Sequence, residues 1–268
     1  MAMVCTGLGL AAMIAAPLAR SQTPSSSGAR AAGAPSAAAT GALASAGEQP
    51  APRTRVSEAP AWVEAEAPAG KAFVYPPRGE DDTPRPVTVM LHGMCGQPQS
   101  ACAPFVDVST ARGWLVCPRG EDACGGGTRW RLNGPDDARL VDASVRAVAS
   151  GHDGRVDDAA PRVLVGFSLG GTAAVQIAQA SVGRYRGLVV IASQVHPDAA
   201  ALKKAGVKRV VLAAGDMDMT SAPLQKDAQT LEAQGLPTRF VSLGHTGHGY
   251  PPDMEQRMRE PMQWVSGS

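Results

Sequence analysis

The sequence predicts an α/β layer fold, with a mostly parallel central sheet and helices on both faces. Three observations predict it. From Lys71 onward, short apolar runs alternate with stretches of helical period. Most of those runs are apolar almost throughout and rich in β-branched residues, as strands covered on both faces are. The chain of 268 residues is also long enough to bury one substantial core.

In chain order, the predicted strands are 72–75 (AFVY), 87–91 (VTVML), 114–117 (WLVC), 162–167 (RVLVGF), 187–192 (GLVVIA), 209–214 (RVVLAA) and 238–243 (TRFVSL). Helices are predicted between them. The stretch 134–150 carries Pro135 at its first position, Asp136 and Asp137 in its first turn and Gly151 after its end. Val141, Val145 and Val148 give it an apolar face. An alanine-rich helix follows Ser168, and two more are expected over 222–235 and 252–265. Met254, Met258 and Met262 fall four apart in the last, which reads as core packing. Alternating strands and helices imply right-handed crossovers, with the reactive groups just beyond the carboxyl ends of the strands.

The residues ahead of this pattern read differently. Positions 1–19 carry no charge, and the apolar run from Val4 to Ala16 has the length of an export-signal core, although no basic residue precedes it. It is short and alanine-rich for a membrane span, and Pro17 ends it. Residues 20–60 are almost entirely Ala, Ser, Gly, Pro and Thr with scattered charge; one Leu and one Val cannot offset the entropy of ordering them. They are expected to form a disordered tether, leaving 71–268 as the functional domain. An exported location follows, periplasmic or extracellular, with membrane contact only if the leading segment is retained. A net charge of +1 argues against a nucleic-acid partner. The basic run Lys203-Lys204 and Lys208-Arg209 reads as a solvated helix end.

Four cysteines besides Cys5 come in two equally spaced pairs, Cys95/Cys102 and Cys117/Cys124. An even count in an exported chain suggests disulfides, with the connectivity left open. Nearest-neighbour pairing would close two small loops, each stabilising by roughly 2.5 kcal/mol. A Cys95–Cys102 bond would also stiffen the loop after the 87–91 strand. Cys-x2-Cys spacing, the usual sign of zinc, is absent.

The chemistry points to Ser168. Gly166-Phe167-Ser168-Leu169-Gly170 is a G-x-S-x-G turn that follows a predicted strand and opens a predicted helix. A turn this tight strains the serine backbone, and side chains at Gly166 and Gly170 would collide. A serine hydroxyl needs a base, and the base needs a group to orient it. Asp216 and Asp218 follow the 209–214 strand; the one not used for that purpose is expected to tie down the loop. His245 and His248 follow the last strand, and the glycines beside His248 favour it as the base. The His-x2-His spacing lacks a third ligand, so no metal is expected, and no cofactor is needed.

On the residues LHGMCG, GFSLGG, GDMD and HTGHGY, in that order, the chain resembles the α/β-hydrolase superfamily over roughly residues 71–268. LHGMCGQPQSACAPF followed by GWLVCPRG is similar to secreted feruloyl-esterase and polyhydroxyalkanoate-depolymerase-like enzymes. The resemblance implies a triad of Ser168, Asp218 and His248, and an oxyanion hole from the backbone N–H groups of Leu169 and Met94. It implies hydrolysis of a small-molecule or polymeric ester through an acyl-enzyme. A thioesterase, a small peptidase or a non-catalytic extracellular binding module of the same fold are the alternatives. The 50 positions from Ser168 to Asp218 leave room for little or no lid. His92 is expected to shape the oxyanion loop, Trp130 to flank the acyl pocket or simply pack, and His196 to lie near the functional edge. An aromatic content of 4% argues against a carbohydrate-stacking platform.

Overall fold

The computed structural model describes residues 59–67, 69–79 and 81–267. The expected export segment and nearly all of the expected tether lie outside the described residues.

The chain builds an eight-stranded sheet. Its strands, with the helices between them, are β1 (Ala61–Ala65), β2 (Gly70–Tyr75), β3 (Val87–Leu91), α1 (Pro98–Cys102), α2 (Val106–Thr110) and β4 (Trp114–Pro118). A small hairpin of β5 (Asp122–Cys124) and β6 (Gly127–Arg129) stands apart from the sheet and precedes α3 (Gly134–Ser150). There follow β7 (Arg162–Phe167), α4 (Leu169–Ala180), β8 (Tyr185–Ile191), α5 (Ala199–Ala205), β9 (Arg209–Ala214), α6 (Ser221–Ala233), β10 (Thr238–Ser242) and α7 (Met254–Val265). The strand order is β1-β2-β4-β3-β7-β8-β9-β10. The β1–β2 and β2–β4 pairings are antiparallel and all the others parallel.

The unbroken apolar runs are explained by two cores, one on each face of the sheet. Leu164, Leu188, Val190, Val210 and Leu212 point to one face, where they meet α3, α4, α5 and α6. Val163, Val165, Val189, Ile191 and Val211 point to the other, against α1, α2 and α7. Because successive strand residues alternate in direction, only a strand buried on both faces is apolar at every position. Met254, Met258 and Met262 all bury into the second core. Lys203 and Lys204 occupy the last turn of α5, which ends at Gly206 with φ 99°.

Elements not anticipated from the sequence are short or lie at the edge. The sheet begins at Ala61, ahead of Lys71: β1 is an edge strand with mostly exposed side chains and therefore carries no long apolar run. Helices α1, α2 and α5, of five to seven residues, are too short to show a clear period.

The disulfides correct the nearest-neighbour expectation. Cys95 bonds Cys124, and Cys102 bonds Cys117, so the loops are nested. Helix α1 carries Cys102 away from Cys95 and onto the second core, where the inward-facing Cys117 of β4 lies with a Cα–Cα distance of 6.4 Å. Both cysteines are fully buried. Closing a 15-residue separation stabilises by roughly 3 kcal/mol on the loop-entropy model. Replacing Cys102 and Cys117 together by alanine is therefore expected to lower the Tm by about 6–12 °C in calorimetry. An unchanged Tm, or non-reduced peptide mapping that finds Cys95 bonded to Cys102, would contradict this account.

Candidate functional site

Strand β7 runs in the middle of the sheet and turns into α4 at Ser168, whose backbone has φ 54° and ψ −121°. A non-glycine residue is rarely found there, and the turn holds it by close packing. A Cβ on Gly166 would lie 2.2 Å from the carbonyl oxygen of Gly170, and one on Gly170 would lie 2.4 Å from that of Leu91. The Ser168 N–H donates to the Ile191 carbonyl at 2.8 Å, fastening the turn to the next strand.

Two later loops bring side chains to this serine. The loop after β10 carries His248, whose Nε2 lies 2.9 Å from Ser168 Oγ. The loop after β9 carries Asp218, whose Oδ2 lies 2.8 Å from His248 Nδ1. Asp218 is buried, whereas the imidazole is half exposed and backed by the ring of Phe167 at a centroid distance of 5.2 Å. The other carboxylate oxygen of Asp218 accepts from both the N–H and the hydroxyl of Thr220, each at 2.9 Å. Burial pushes the Asp218 pKa up, but the two Thr220 bonds and His248 outweigh it and hold the pKa below the usual value. The group is thus an anion with both oxygens hydrogen-bonded. Asp216 instead accepts from Ser242 Oγ and donates its N–H to Gly244, tying the two loops together. His245 is exposed and makes no hydrogen bond to Ser168 or Asp218.

Gly93 to Gly96 form a turn closed by the Gly96 N–H on the Gly93 carbonyl at 3.0 Å, with Cys95 at φ 52°. The N–H groups of Met94 and Leu169 have no hydrogen-bond partner among the described residues. Below the turn, His92 is 1% exposed. Its Nδ1 donates to the Gly93 carbonyl at 2.7 Å, and its Nε2 accepts from the Gly120 N–H at 3.1 Å. Burial lowers the His92 pKa, keeping the ring neutral as this pattern requires. The β5–β6 hairpin clamps the turn from outside through a Gly96–Thr128 bridge and the Cys95–Cys124 bond. Gly127 is indispensable to that contact, since a Cβ there would lie 2.2 Å from the Gly96 carbonyl oxygen.

These groups border a cavity of about 700 Å³ whose walls include Met94, Leu132, Leu169, Thr172, Met217 and Met219 as well as Ser168 and His248. Trp130 is not among them. It is 2% exposed and donates to the His92 carbonyl at 2.8 Å, so it packs beneath the loop. His196 stands beside a neighbouring cavity, with Nδ1 2.8 Å from Asp227. Thr220 and the clamping hairpin escaped the sequence reading. The Asp-x-Thr spacing and the Gly125–Gly127 run were the available signals. Among the described residues no group of three metal-ligating side chains converges.

One buried acid lies near this framework. The carboxyl of Asp137, in the first turn of α3, is wholly buried and faces that of Glu121, which follows Gly120. Burial first, and then the Glu121 carboxyl, pushes the Asp137 pKa up to about 8.

No protein-family model and no curated protein matches the chain. Solved structures do. They include esterase PE8 (17% identity, 76% of this chain and 99% of that one, TM-score 0.58). A fluorophosphonate-binding serine hydrolase of Staphylococcus aureus, FphF, aligns at 12% identity over 78% of this chain and 99% of its own, with TM-score 0.57. A ferulic acid esterase aligns at 15% identity over 77% and 96%, also with TM-score 0.57. At such identities the likeness concerns the fold, and the chain has the α/β-hydrolase fold.

The raised Asp137 pKa has a consequence for stability. A folded-state pKa above the unfolded one gives stability that is complete below about pH 4 and is lost as pH rises through about 8. Asp137→Asn removes the ionisable group and keeps its shape. The Tm of the variant relative to the parent is expected to climb between pH 4.5 and pH 8 and to level off above. A difference independent of pH would rule out Asp137 as the protonated partner.

Proposed function

We propose that this protein is a serine hydrolase that cleaves carboxylic esters through an acyl-enzyme. The observation that carries this reading is the chain of contacts from Ser168 Oγ to His248 Nε2 and from His248 Nδ1 to Asp218, at the mouth of an open and largely apolar cleft.

In this reading His248 carries its proton on Nδ1, bonded to Asp218, which leaves the Nε2 lone pair facing the serine. As Ser168 Oγ attacks the ester carbonyl, its proton passes to Nε2, and the buried carboxylate stabilises the imidazolium that forms. Negative charge develops on the carbonyl oxygen. The Met94 and Leu169 N–H groups are free to receive it, and the N-terminus of α4 adds a favourable dipole. The tetrahedral intermediate collapses as the imidazolium gives its proton to the departing alkoxide. Water, activated by the same imidazole, then releases the acid and restores the serine. The steps need no cofactor.

The two disulfides suit an oxidising compartment, in keeping with an exported enzyme acting on small or polymeric esters. Among the described residues no helix is long and apolar enough to cross a membrane.

A fluorophosphonate probe is expected to add one adduct to the native protein, on Ser168, and none to Ser168→Ala. His248→Ala should lower kcat/KM on a short ester by about 10³-fold or more, whereas His245→Ala should stay within about twofold. The reverse result would make His245 the base. Labelling that survives Ser168→Ala would remove the nucleophile assignment.

A further inference from the structure

We propose that Met219 is an adjustable partition that sets how long a substrate limb the site accepts, with the chamber behind it receiving the limb's apolar end. The proposal deepens the hydrolytic reading of Ser168, and its turnover test rests on that reading.

Beside the main cavity of about 700 Å³ lies a second of about 250 Å³, whose walls include Val195, His196 and Pro223. The two share Gln194, Met219 and Thr220. These shared residues are held very differently. Thr220 is buried and bonded twice to Asp218, so it is fixed. The other two are joined by a hydrogen bond from Gln194 Nε2 to Met219 Sδ at 3.1 Å. A thioether is a weak acceptor, and an unbranched side chain with three rotatable bonds re-packs readily.

Exposure points the same way. Met219 is 78% exposed, and Met94 and Met217, on the same cavity, are 64% and 61% exposed. Among the described residues, these are three of the five large apolar side chains left in solvent. Their clustering around one opening leaves apolar surface that an apolar limb would cover. A limb running past Ser168 and displacing the Met219 thioether would cover that rim and enter the chamber. The substrate class is therefore an ester with one limb longer than the main cleft accommodates.

The test uses substitutions of opposite sign. Acyl-length selectivity is the ratio of kcat/KM for ethyl octanoate over ethyl butanoate; alkoxy-length selectivity is the ratio for octyl acetate over butyl acetate. Met219→Ala is expected to raise one of these ratios at least fivefold, and Met219→Phe to lower the same ratio at least fivefold. The series that responds identifies the limb. Each methylene removed from water is worth about fourfold in binding, so the expected change needs little more than one further methylene admitted. Because the position is exposed, both variants should keep the parent's Tm. The same substitutions in a Ser168→Ala background, with dissociation constants for the same esters measured by calorimetry, read the partition without turnover. If the parent hydrolyses none of these esters while the dissociation constants still split in opposite directions, the hydrolytic reading fails and the partition stands. Ratios that both variants leave within twofold, or shift in the same direction, overturn it.

Discussion

The site depends on a steric constraint where β7 meets α4. The chain must reverse direction within a few residues while the carbonyls of Leu91 and Gly170 press against it, and only glycine leaves space at 166 and 170. Ser168 is thereby held in a backbone conformation costing on the order of 1–3 kcal/mol. It persists because β7 sits between β3 and β8, with cores on both faces and the Ser168 N–H locked to Ile191. The strain puts the hydroxyl out at the end of the sheet and the Leu169 N–H at the first position of a helix, where no partner within the helix is available. The proposed nucleophile and one of the two proposed oxyanion donors thus come from one local distortion.

The other groups are placed by strands whose ends lie near this turn. β3 delivers the Met94 turn, β9 delivers Asp218 and β10 delivers His248. Each loop has its own brace. Thr220 fixes the carboxylate, Asp216 joins the β9 and β10 loops, and His92 with the β5–β6 hairpin and the Cys95–Cys124 bond hold the Met94 turn. Orientation fixed in the folded state need not be established during reaction, and this is where such sites gain most of their rate. The nested disulfides divide the work: one lies inside a core and the other beside the Met94 turn.

Much of this was legible in the sequence, for identifiable reasons. Strands buried on both faces, such as β3, β4, β7, β8 and β9, announce themselves as nearly unbroken apolar runs, and shorter apolar stretches mark β2 and β10; α3, α4, α6 and α7 show a helical period. The glycines around Ser168 and the order of serine, aspartate and histidine candidates were visible because steric and topological requirements restrict residue type at those positions. What could not be read depends on three-dimensional juxtaposition. The pairing of Cys95 with Cys124 follows from the hairpin folding back on the β3 loop, a contact that cysteine spacing does not encode. β1 carries little burial and so little pattern. The burial of Trp130 beneath His92 arises only once the segment after β6 meets the loop after β3, and the facing carboxyls of Asp137 and Glu121 only once the loop after β4 meets α3.

The central claim is that an oxyanion formed on Ser168 falls between two backbone N–H groups already in place. A crystal structure of the protein inhibited with a fluorophosphonate tests it most directly, since the phosphorus mimics the tetrahedral carbon. The account predicts phosphorus bonded to Ser168 Oγ, with a phosphoryl oxygen about 2.7–3.1 Å from the N–H groups of both Met94 and Leu169. A phosphoryl oxygen turned toward solvent, or toward any other pair of donors, would contradict it.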